Sequence, residues 1–343
     1  MKILLDINHP AHVHFFRNSL RALRDRGHTV LLTSRKKECV ELLLAELGED
    51  HSKLSDIGGG NLYGFIKEYF VRCYRLLRYV RLHRPDVLCA VGGTFVAHVG
   101  WLARIPTIVF YDTEMATLQN RVTYPFVGRL IVPECYQGGV PRETIRYNGY
   151  HELAYLRPAY FEPNHSLAVQ AGLILERKNF IVRVVSWQAN HDVDQSGWSL
   201  VLLADLLDYL SARGNVIISS ERELPRNIEH LRYKGTALDM HHLMSCCDLF
   251  VGESATMAAE CAVLGTPAIY ASAISRGYLD DIERKYKLIK VVRDFEFNNI
   301  VTAIEQILKF DAKYYYDRQV SLLSETVDVT ELLMHHIEER ARK

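Results

Sequence analysis

Short apolar runs alternate with amphipathic stretches along the chain, and this alternation constrains the fold more than any other feature. An apolar run at 2–7 precedes a helical pattern at 12–26, and a second apolar run, HTVLLTS, follows. Strand, helix and strand in this order form a βαβ unit, which builds parallel sheets. The G-x-G-x-x-G sequence of dinucleotide-binding folds is absent from the first turn. The sequence therefore predicts an α/β fold without that motif.

The alternation occurs in both halves of the chain, which points to two domains. A chain of 343 residues suits two domains of about 150 residues each. The stretch 155–166 combines proline with aromatic residues and is interpreted as a linker. We expect two doubly wound, Rossmann-like domains in tandem at 1–154 and 167–312, with a C-terminal helical tail at 313–343. Ligands of such sheets bind at the carboxyl ends of the strands, so the expected site lies between the domains.

Charge and composition limit the classes of partner. The formal net charge is zero, which argues against nucleic acid as a partner. Residues 1–160 carry 21 Lys and Arg against 15 Asp and Glu, and the remainder carries 20 against 26. A basic first half suits an anionic substrate or an anionic membrane surface.

Cysteine usage and hydropathy indicate a cytoplasmic protein. The seven cysteines include no CxxC pair, which fits a reducing compartment better than a disulfide framework or a zinc knuckle. Asp6 interrupts the first apolar run, so no signal peptide is expected. The longest apolar stretch, at 87–110, contains glycines, His98 and Arg104 and is interpreted as two buried strands with a helix between them.

The stretch 61–84 combines apolar residues at helical spacing with arginines on the opposite side, at 72, 75, 78 and 81. Two interpretations are open. The apolar stripe packs on the sheet and leaves the arginines solvated, or the helix contacts anionic lipid, as a peripheral membrane enzyme at the inner face of the membrane does.

The segment DLFVGESATMAAECAVLG, at 248–265, carries the clearest ligand signal. A buried strand ends at Gly252, and Ser254 is placed to cap the following helix. The N–H groups of Ala255, Thr256 and Met257 then point out of the helix end, where phosphate binds without a metal. Glu260 is spaced to accept hydrogen bonds from vicinal hydroxyls such as those of a ribose. The alternative is that Ser254 only caps and Glu260 only faces solvent.

This segment, through GTPAI, resembles the donor-site segment of the GT-B superfamily of nucleotide-sugar enzymes. Two members share its pattern: the N-acetylglucosaminyltransferase that completes the lipid-linked peptidoglycan precursor, and the non-hydrolysing UDP-N-acetylglucosamine 2-epimerase. The segment PDVLCAVGGTFVAHVGWLARIPTIVFYDTE is similar to the N-domain segment of the same enzymes. As a whole, the chain most resembles an uncharacterised domain-of-unknown-function family placed in that superfamily.

The resemblance implies roles for particular residues. Glu260 binds the nucleotide ribose, and Ser254 with the amides that follow it binds the diphosphate of a UDP-type donor. Ser186 and Gln188 match a transferase loop that contacts phosphate. No cofactor is implied, and the acceptor is unknown, with a lipid-linked acceptor among the possibilities.

The segment HPAHVHFF, at 9–16, places three histidines at the first strand–helix junction. His12 matches the histidine of the G-H-x-x-P sequence of related transferases, although Pro10 and Ala11 replace the glycine. The resemblance implies that a neutral His12 takes the proton of the acceptor hydroxyl. Asn8 and His9 are expected to contact substrate. Two alternatives are a turn or capping role for these side chains, or a zinc site with His12 and His14 as ligands together with Asp6 or His9.

Asp112 and Glu114 end a buried strand and lie on the same side of an extended chain. The epimerase uses carboxylates in this region for proton transfer, but its characteristic Asp is replaced by Gly93 in this chain. Gly92, Gly93 and Thr94 are instead interpreted as backbone donors at a helix start. A capping role with solvated acids is the alternative.

The sequence thus predicts a metal-independent glycosyltransferase that moves a sugar from a nucleotide-sugar donor to an acceptor hydroxyl, a reaction of polysaccharide biosynthesis. Charge on the departing diphosphate is stabilised by preorganised amides. Two other classes stay open: a nucleotide-sugar 2-epimerase that uses Asp112 and Glu114, and a non-catalytic nucleotide-sugar binder.

Overall fold

The computed structural model describes residues 1–36, 39–55, 62–114, 117–185, 197–220, 223–274 and 276–341. Two compact units divide the chain. Unit 1 contains Met1–Tyr155 and Val327–Lys343, and unit 2 contains Leu156–Thr326.

Unit 1 is built on a parallel sheet of seven strands in the order 3-2-1-4-5-6-7. The strands are β1 (Lys2–Ile7), β2 (Thr29–Arg35), β3 (Ser52–Ser55), β4 (Val87–Val91), β5 (Thr107–Phe110), β6 (Arg129–Pro133) and β7 (Ile145–Tyr147). The helices are α1 (Pro10–Asp25), α2 (Val40–Glu46), α3 (Leu62–His83), α4 (Thr94–Ala103), α5 (Thr117–Thr123) and α6 (Leu153–Leu156), with a 3-10 turn at Tyr124–Phe126.

Unit 2 is built on a parallel sheet of five strands in the order 12-11-10-8-9. Its strands are β8 (Asn179–Val184), β9 (Asn215–Ser220), β10 (Leu249–Gly252), β11 (Ala268–Ala271) and β12 (Ile289–Val292). Its helices are α7 (His165–Gln170), α8 (Leu200–Ser211), α9 (Met240–Met244), α10 (Ala255–Leu264), α11 (Gly277–Tyr286), α12 (Phe297–Ile307) and α13 (Ala312–Glu325).

The segment 313–343, expected to form one helical tail, contains helices of both units. Helix α13 belongs to unit 2, whereas the last helix, α14 (Val329–Ala341), belongs to unit 1. Thr330 Oγ1 donates to Ala154 O at 2.7 Å, and Val327 N donates to Asn148 O at 2.9 Å. Backbone carbonyls that follow β7 therefore fix the entry into α14. Residues 156–166 of the expected linker belong to unit 2.

Both sheets have the strand order of doubly wound α/β folds, in which the first strand of each half lies inside the sheet. The predicted class of two Rossmann-like α/β domains is confirmed. Within the described part of the chain, no helix combines the length and apolarity needed to cross a bilayer.

The buried and exposed side chains of α3 differ from the predicted ones. Arg72, expected on a solvated face, is completely buried, whereas Phe70, expected in the apolar stripe, is 65% exposed. The buried stripe instead runs through Glu68, Arg72, Leu76 and Val80 at i, i+4 spacing. The helix therefore places a charged pair, not only apolar residues, against the sheet.

A buried ion pair explains this arrangement. Arg72 donates to Asp6 Oδ1 at 2.7 Å, and both side chains are fully buried. Thr33 Oγ1 donates to the same oxygen at 2.7 Å, and Arg72 also donates to Ser55 Oγ at 3.0 Å. These bonds connect α3 to the carboxyl ends of β1, β2 and β3. Buried charges persist when they are paired and hydrogen-bonded in this way.

Candidate functional site

The three histidines of the first strand–helix junction have different roles. His9 is the N-cap of α1, and its Nδ1 accepts a hydrogen bond from Ala11 N at 3.2 Å. His14 is buried and stacks on Tyr155, with ring centroids 5.4 Å apart. His12 is half-buried and lies at the edge of the sheet beside Asn8. The capping alternative therefore describes His9, and His14 packs inside unit 1.

The tautomer of His12 bears on its chemistry. Its Nδ1 accepts a hydrogen bond from the backbone N–H of Asn8 at 3.3 Å. A neutral imidazole that accepts at Nδ1 carries its proton on Nε2. In this geometry a neutral His12 presents an N–H group at Nε2, and the predicted base role requires the other tautomer.

Asp112 follows β5 directly and lies next to a histidine that the sequence did not single out. Its Oδ2 is 3.1 Å from Nδ1 of His151, and its Oδ1 accepts from Thr113 Oγ1 at 3.0 Å. The ring of His151 packs between Phe15 of α1 and Phe110 of β5, at centroid distances of 4.9 and 6.3 Å. The end of β5 and the segment after β7 thus jointly build this pair.

The electrostatic environment keeps Asp112 ionised. Burial alone raises the pKa of Asp112, but the charge and hydrogen bond of His151 lower it, as does the Thr113 hydroxyl, and His12 lowers it further when it is protonated. The net effect places the pKa of this carboxyl well below its usual range. His12, Asp112 and His151 therefore form one electrostatic group, which we call the His–Asp–His cluster.

Three buried polar atoms at the same carboxyl edge have no hydrogen-bond partner among the described residues. They are Oδ1 of Asn8, the hydroxyl of Tyr147 and Nε2 of His151. Asp112 helps to raise the pKa of Tyr147, after burial as the main cause, which places that ring near the cluster. Buried polar groups are rarely left unsatisfied. Orphaned atoms around an ionised carboxylate are typical of a site that binds a polar ligand.

Glu114 lies in a different environment from Asp112. The hydroxyls of Tyr124 and Tyr136 are 2.7 Å apart, and Asn120 Nδ2 donates to Tyr136 at 3.1 Å. Burial raises the pKa of both tyrosines, and the charge of Glu114 raises it further. The two carboxylates predicted to work together therefore have separate surroundings: histidines around Asp112 and tyrosines near Glu114.

The Gly92, Gly93, Thr94 turn supplies fewer donors than predicted. The N–H of Gly92 donates to Phe110 O at 2.9 Å and so belongs to the sheet. The Thr94 hydroxyl lies 2.9 Å from that of Thr123. Gly93 caps α4 without a side-chain bond, and no described residue accepts from the Gly93 or Thr94 amide. Two amides of this helix start are left to meet a ligand.

In unit 2, Ser254 caps α10 as predicted. Ser254 is the N-cap, and its Oγ accepts from Met257 N at 3.3 Å. The cap therefore uses the Met257 amide, which the sequence predicts to face a ligand. In the described part of the chain, nothing accepts from the Ala255 and Thr256 amides, and both residues are half-exposed. These two N–H groups carry the partial positive charge of the helix end.

Glu253 organises the backbone around this helix start. Its Oε2 accepts from Val185 N at 3.1 Å, and its Oε1 accepts from Trp198 N at 3.0 Å. A Cβ at Gly252 would lie 2.6 Å from Arg183 O, so only glycine permits the close approach of β10 to β8. Ser186 and Gln188, predicted to contact phosphate, lie outside the described residues.

Glu260 is buried and does not face solvent. It is 5% exposed, and its Oε1 is 2.9 Å from Nε2 of His241, which is 2% exposed. The pair joins α9 to α10 inside unit 2. The reason is the position of Glu260 on the buried face of α10, where a carboxylate needs a partner.

The described residues contain one group with metal-ligand spacing, and it is far along the sequence from the predicted zinc alternative. It consists of His335, His336 and Glu339 on α14. Arg129 donates to Nδ1 of His336 at 3.0 Å and to Glu339 at 2.8 Å. The guanidinium of Arg129 therefore lies against two of these ligands, His336 and Glu339, and no such group among the described residues includes His12 or His14.

Comparison with known proteins assigns the family. A family model described as a protein of unknown function, DUF354, matches residues 1–341. The chain belongs to the DUF354 family. This DUF354 protein is 23% identical over 287 residues to an uncharacterized protein of Methanocaldococcus jannaschii, a match that covers 78% of the chain and 81% of the relative.

Solved structures share the fold of this DUF354 protein. The UDP-GlcNAc 2-epimerase of Neisseria meningitidis, bound to UDP-GlcNAc, has a TM-score of 0.70 at 12% identity and covers 99% of this chain and 100% of its own. A spinosyn rhamnosyltransferase, bound to spinosyn aglycone, has a TM-score of 0.66 at 12% identity and covers 98% and 100%. The predicted likeness to both GT-B glycosyltransferases and 2-epimerases is confirmed at the level of fold.

The site contains one residue that sequence reasoning missed. His151 follows β7 in the segment NGYHELAYL, which has no motif spacing. The local signal was a histidine just after a short strand, at the carboxyl edge where ligands bind. Its partner, Asp112, belongs to a strand far along the chain, so the pair emerges only when the sheet order is known.

We predict that His151→Leu destabilises the protein in a pH-dependent way. A carboxyl group whose pKa is lower in the folded state than in the unfolded state stabilises the fold. This stabilisation is complete above the pKa of the unfolded state, about 4, and is lost as the pH falls through the pKa of the folded state. His151→Leu removes the main partner that lowers the pKa of Asp112. We expect the variant to lose about 1–3 kcal/mol of unfolding free energy at pH 7, and we expect this loss to become smaller below pH 4.

Thermal unfolding across pH measures this effect, and His151→Asn, which keeps an N–H donor for Asp112, serves as the matched control. If His151→Leu is less stable than wild type by the same amount at pH 7 and at pH 3, the electrostatic role of His151 is contradicted.

Proposed function

We propose that this DUF354 protein is a glycosyltransferase that moves a sugar from a nucleotide-sugar donor to an acceptor hydroxyl. Unit 2 binds the diphosphate of the donor at the start of α10, and unit 1 supplies the group that receives the acceptor proton. The observation that carries the proposal is the Asp112–His151 pair of the His–Asp–His cluster at the carboxyl edge of the sheet, with buried polar atoms around it that have no partner among the described residues.

Asp112 is the proposed proton acceptor. It is ionised at neutral pH, and a quarter of its side chain is exposed, so an acceptor hydroxyl can reach it. The hydroxyl oxygen attacks the anomeric carbon as its proton passes to the carboxylate. His12, with its proton on Nε2, donates a hydrogen bond that positions the reacting groups. This assignment replaces His12 as the base, because Asn8 already occupies its Nδ1 lone pair.

The start of α10 is the proposed diphosphate site. The open amides of Ala255 and Thr256 and the helix dipole favour an anion there. As the bond from the anomeric carbon to the diphosphate breaks, negative charge grows on the leaving group. Preorganised amides stabilise that charge without reorganisation.

The environment of Gly93 favours a transferase over an epimerase. The resemblance aligns the characteristic Asp of the 2-epimerase with this position. A Cβ at Gly93 would lie 2.7 Å from Cγ2 of Val109, so this backbone does not accommodate an acid. The second candidate, a nucleotide-sugar isomerase, is favoured by the separate surroundings of Asp112 and Glu114, since an acid and a base need different environments.

Proton NMR on a panel of nucleotide sugars distinguishes the candidates. A transferase releases the nucleoside diphosphate and forms a glycosidic product only when an acceptor hydroxyl compound is present. Epimer signals without any acceptor would establish the isomerase and contradict the proposal. Saturable binding without product across all acceptors would indicate a non-catalytic binder.

Removing divalent metal is expected to leave turnover unchanged. The proposed stabilisation of the leaving diphosphate comes from the Ala255 and Thr256 amides. Turnover measured in EDTA should equal turnover in buffer, with added Mg²⁺ as the control. A strong loss in EDTA that Mg²⁺ restores would show that a cation, rather than the helix start, stabilises the leaving group.

Thr256→Glu is expected to weaken nucleoside diphosphate binding at least about tenfold while α10 keeps its stability. An acid in the first turn interacts favourably with the helix dipole, but here it repels the diphosphate. Titration calorimetry with UDP measures the loss, and Thr256→Gln is the matched neutral control. Equal affinity of the two variants would place the diphosphate elsewhere.

A further inference from the structure

An exposed aromatic and apolar surface covers one side of unit 1. It is formed by α3, α4, α5 and the 3-10 turn, which pack against one another. Its most exposed large side chains are Phe70 (65%), Tyr74 (62%), Leu82 (78%), Trp101 (62%), Leu102 (55%) and Leu118 (76%). We call this the α3–α5 surface. Soluble proteins rarely expose so many large apolar side chains together without a partner.

Ring contacts show that the surface is continuous across these elements. Phe70 contacts Tyr69 at a centroid distance of 5.3 Å, and the hydroxyl of Tyr69 is 2.6 Å from Nδ1 of His98. His98 contacts Phe126 at 4.7 Å, and Phe126 contacts Trp101 at 5.3 Å. An open groove beside this row is lined by Tyr69, His98, Leu118, Arg121, Val122 and Phe126.

The same surface is strongly basic. Lys67 and Arg78 lie on the stripe of α3 that carries Phe70 and Tyr74, and both are exposed, as is Arg121 of α5. Arg78 also lies over the ring of Tyr74, 6.0 Å from its centroid.

The only acid in α3, α4, α5 and the 3-10 turn is Glu68, which is buried and paired with Arg35. The exposed charges of these elements are therefore all positive.

We propose that the α3–α5 surface docks unit 1 onto a membrane with anionic headgroups. Tryptophan, tyrosine and phenylalanine insert at the level of the headgroups, and basic residues pair with anionic lipids. Stable peripheral binding needs both signals, and this surface supplies both. A second copy of the chain is disfavoured, because a twofold contact would bring these cations face to face.

Vesicle binding tests this proposal without any substrate, so it stands or fails separately from the proposed function. The intact protein should cosediment with vesicles of equal parts phosphatidylglycerol and phosphatidylcholine, and not with pure phosphatidylcholine. Arg78→Gln with Arg121→Gln should lower the partition coefficient about fivefold for each cation removed. Arg226→Gln, an exposed arginine of unit 2, is the matched control and should bind as wild type does.

The apolar part of the surface has its own readout. The difference between the emission spectra of wild type and Trp101→Phe isolates the fluorescence of Trp101, which should shift to the blue on the anionic vesicles. Trp101→Ala should weaken binding, whereas Val201→Ala, which removes a side chain that is 70% exposed in unit 2, should not.

Two results would overturn the proposal. One is that the protein binds equally well to the anionic vesicles and to the pure phosphatidylcholine vesicles, or binds to neither. The other is a wild-type dimer that Trp101→Ala converts to a monomer, with no vesicle binding by either protein. The latter result would assign the α3–α5 surface to a second copy of the chain.

Discussion

Asp112→Asn is expected to lower kcat/KM by about 10²- to 10⁴-fold, the range in which a positioned acid–base group contributes. The amide cannot receive the proton of the acceptor hydroxyl, while its shape and its contact with Thr113 are retained. Nucleoside diphosphate binding should stay unchanged, because the diphosphate binds to unit 2. Initial rates with a competent donor and acceptor measure the loss, and calorimetry with UDP measures the binding.

Two matched variants separate the role of Asp112 from the roles of its neighbours. Glu114→Gln removes a carboxylate two residues away that faces tyrosines, and a transferase should tolerate it. His12→Gln keeps a hydrogen-bond donor and should lose about tenfold or less. If His12→Gln is as damaging as Asp112→Asn and free imidazole restores its activity, then His12 is the base and the assignment of Asp112 is wrong.

Arg72→Met is expected to destabilise the protein by about 3–5 kcal/mol. The substitution leaves Asp6 charged and fully buried, with Thr33 and Asn8 as its remaining hydrogen-bond donors. Removing one partner of a buried pair costs far more than replacing both, since the uncompensated charge stays in the interior. Urea denaturation at pH 7 measures the change in unfolding free energy.

The double variant Asp6→Asn with Arg72→Met is the control. The side-chain amide introduced at position 6 keeps an acceptor for Thr33 and removes the charge, so we expect the double variant to recover much of the stability lost in the single variant. A single variant that loses less than about 1 kcal/mol would show that the pair behaves as a solvated one. A double variant less stable than the single one would show that packing, not charge, sets the cost.

Local sequence signals predict much of this fold. The Ser254 cap of α10 and the glycine after its last turn are visible from residue type alone, and Gly265 indeed has a positive φ of 84°. The alternation of strands and helices gives the parallel sheets, and helices such as α1, α4 and α10 follow a strand within a few residues. These features depend on contacts within one element or between sequence neighbours.

Features that depend on distant contacts could not be predicted. Arg72 has the appearance of a solvated arginine on an amphipathic helix, and only its contact with Asp6 of β1 makes it a core residue. The same holds for Glu260, which is paired with His241, and for Asp112, which is paired with His151. In each case the partner lies in another element of the fold.

The central claim is that unit 2 binds a nucleoside diphosphate at the start of α10. A crystal structure of the protein soaked with UDP tests it most directly. The account predicts phosphate oxygens within hydrogen-bonding distance, about 2.7–3.2 Å, of the Ala255 and Thr256 amides. A well-ordered UDP bound elsewhere, or no UDP at saturating concentration, would contradict it.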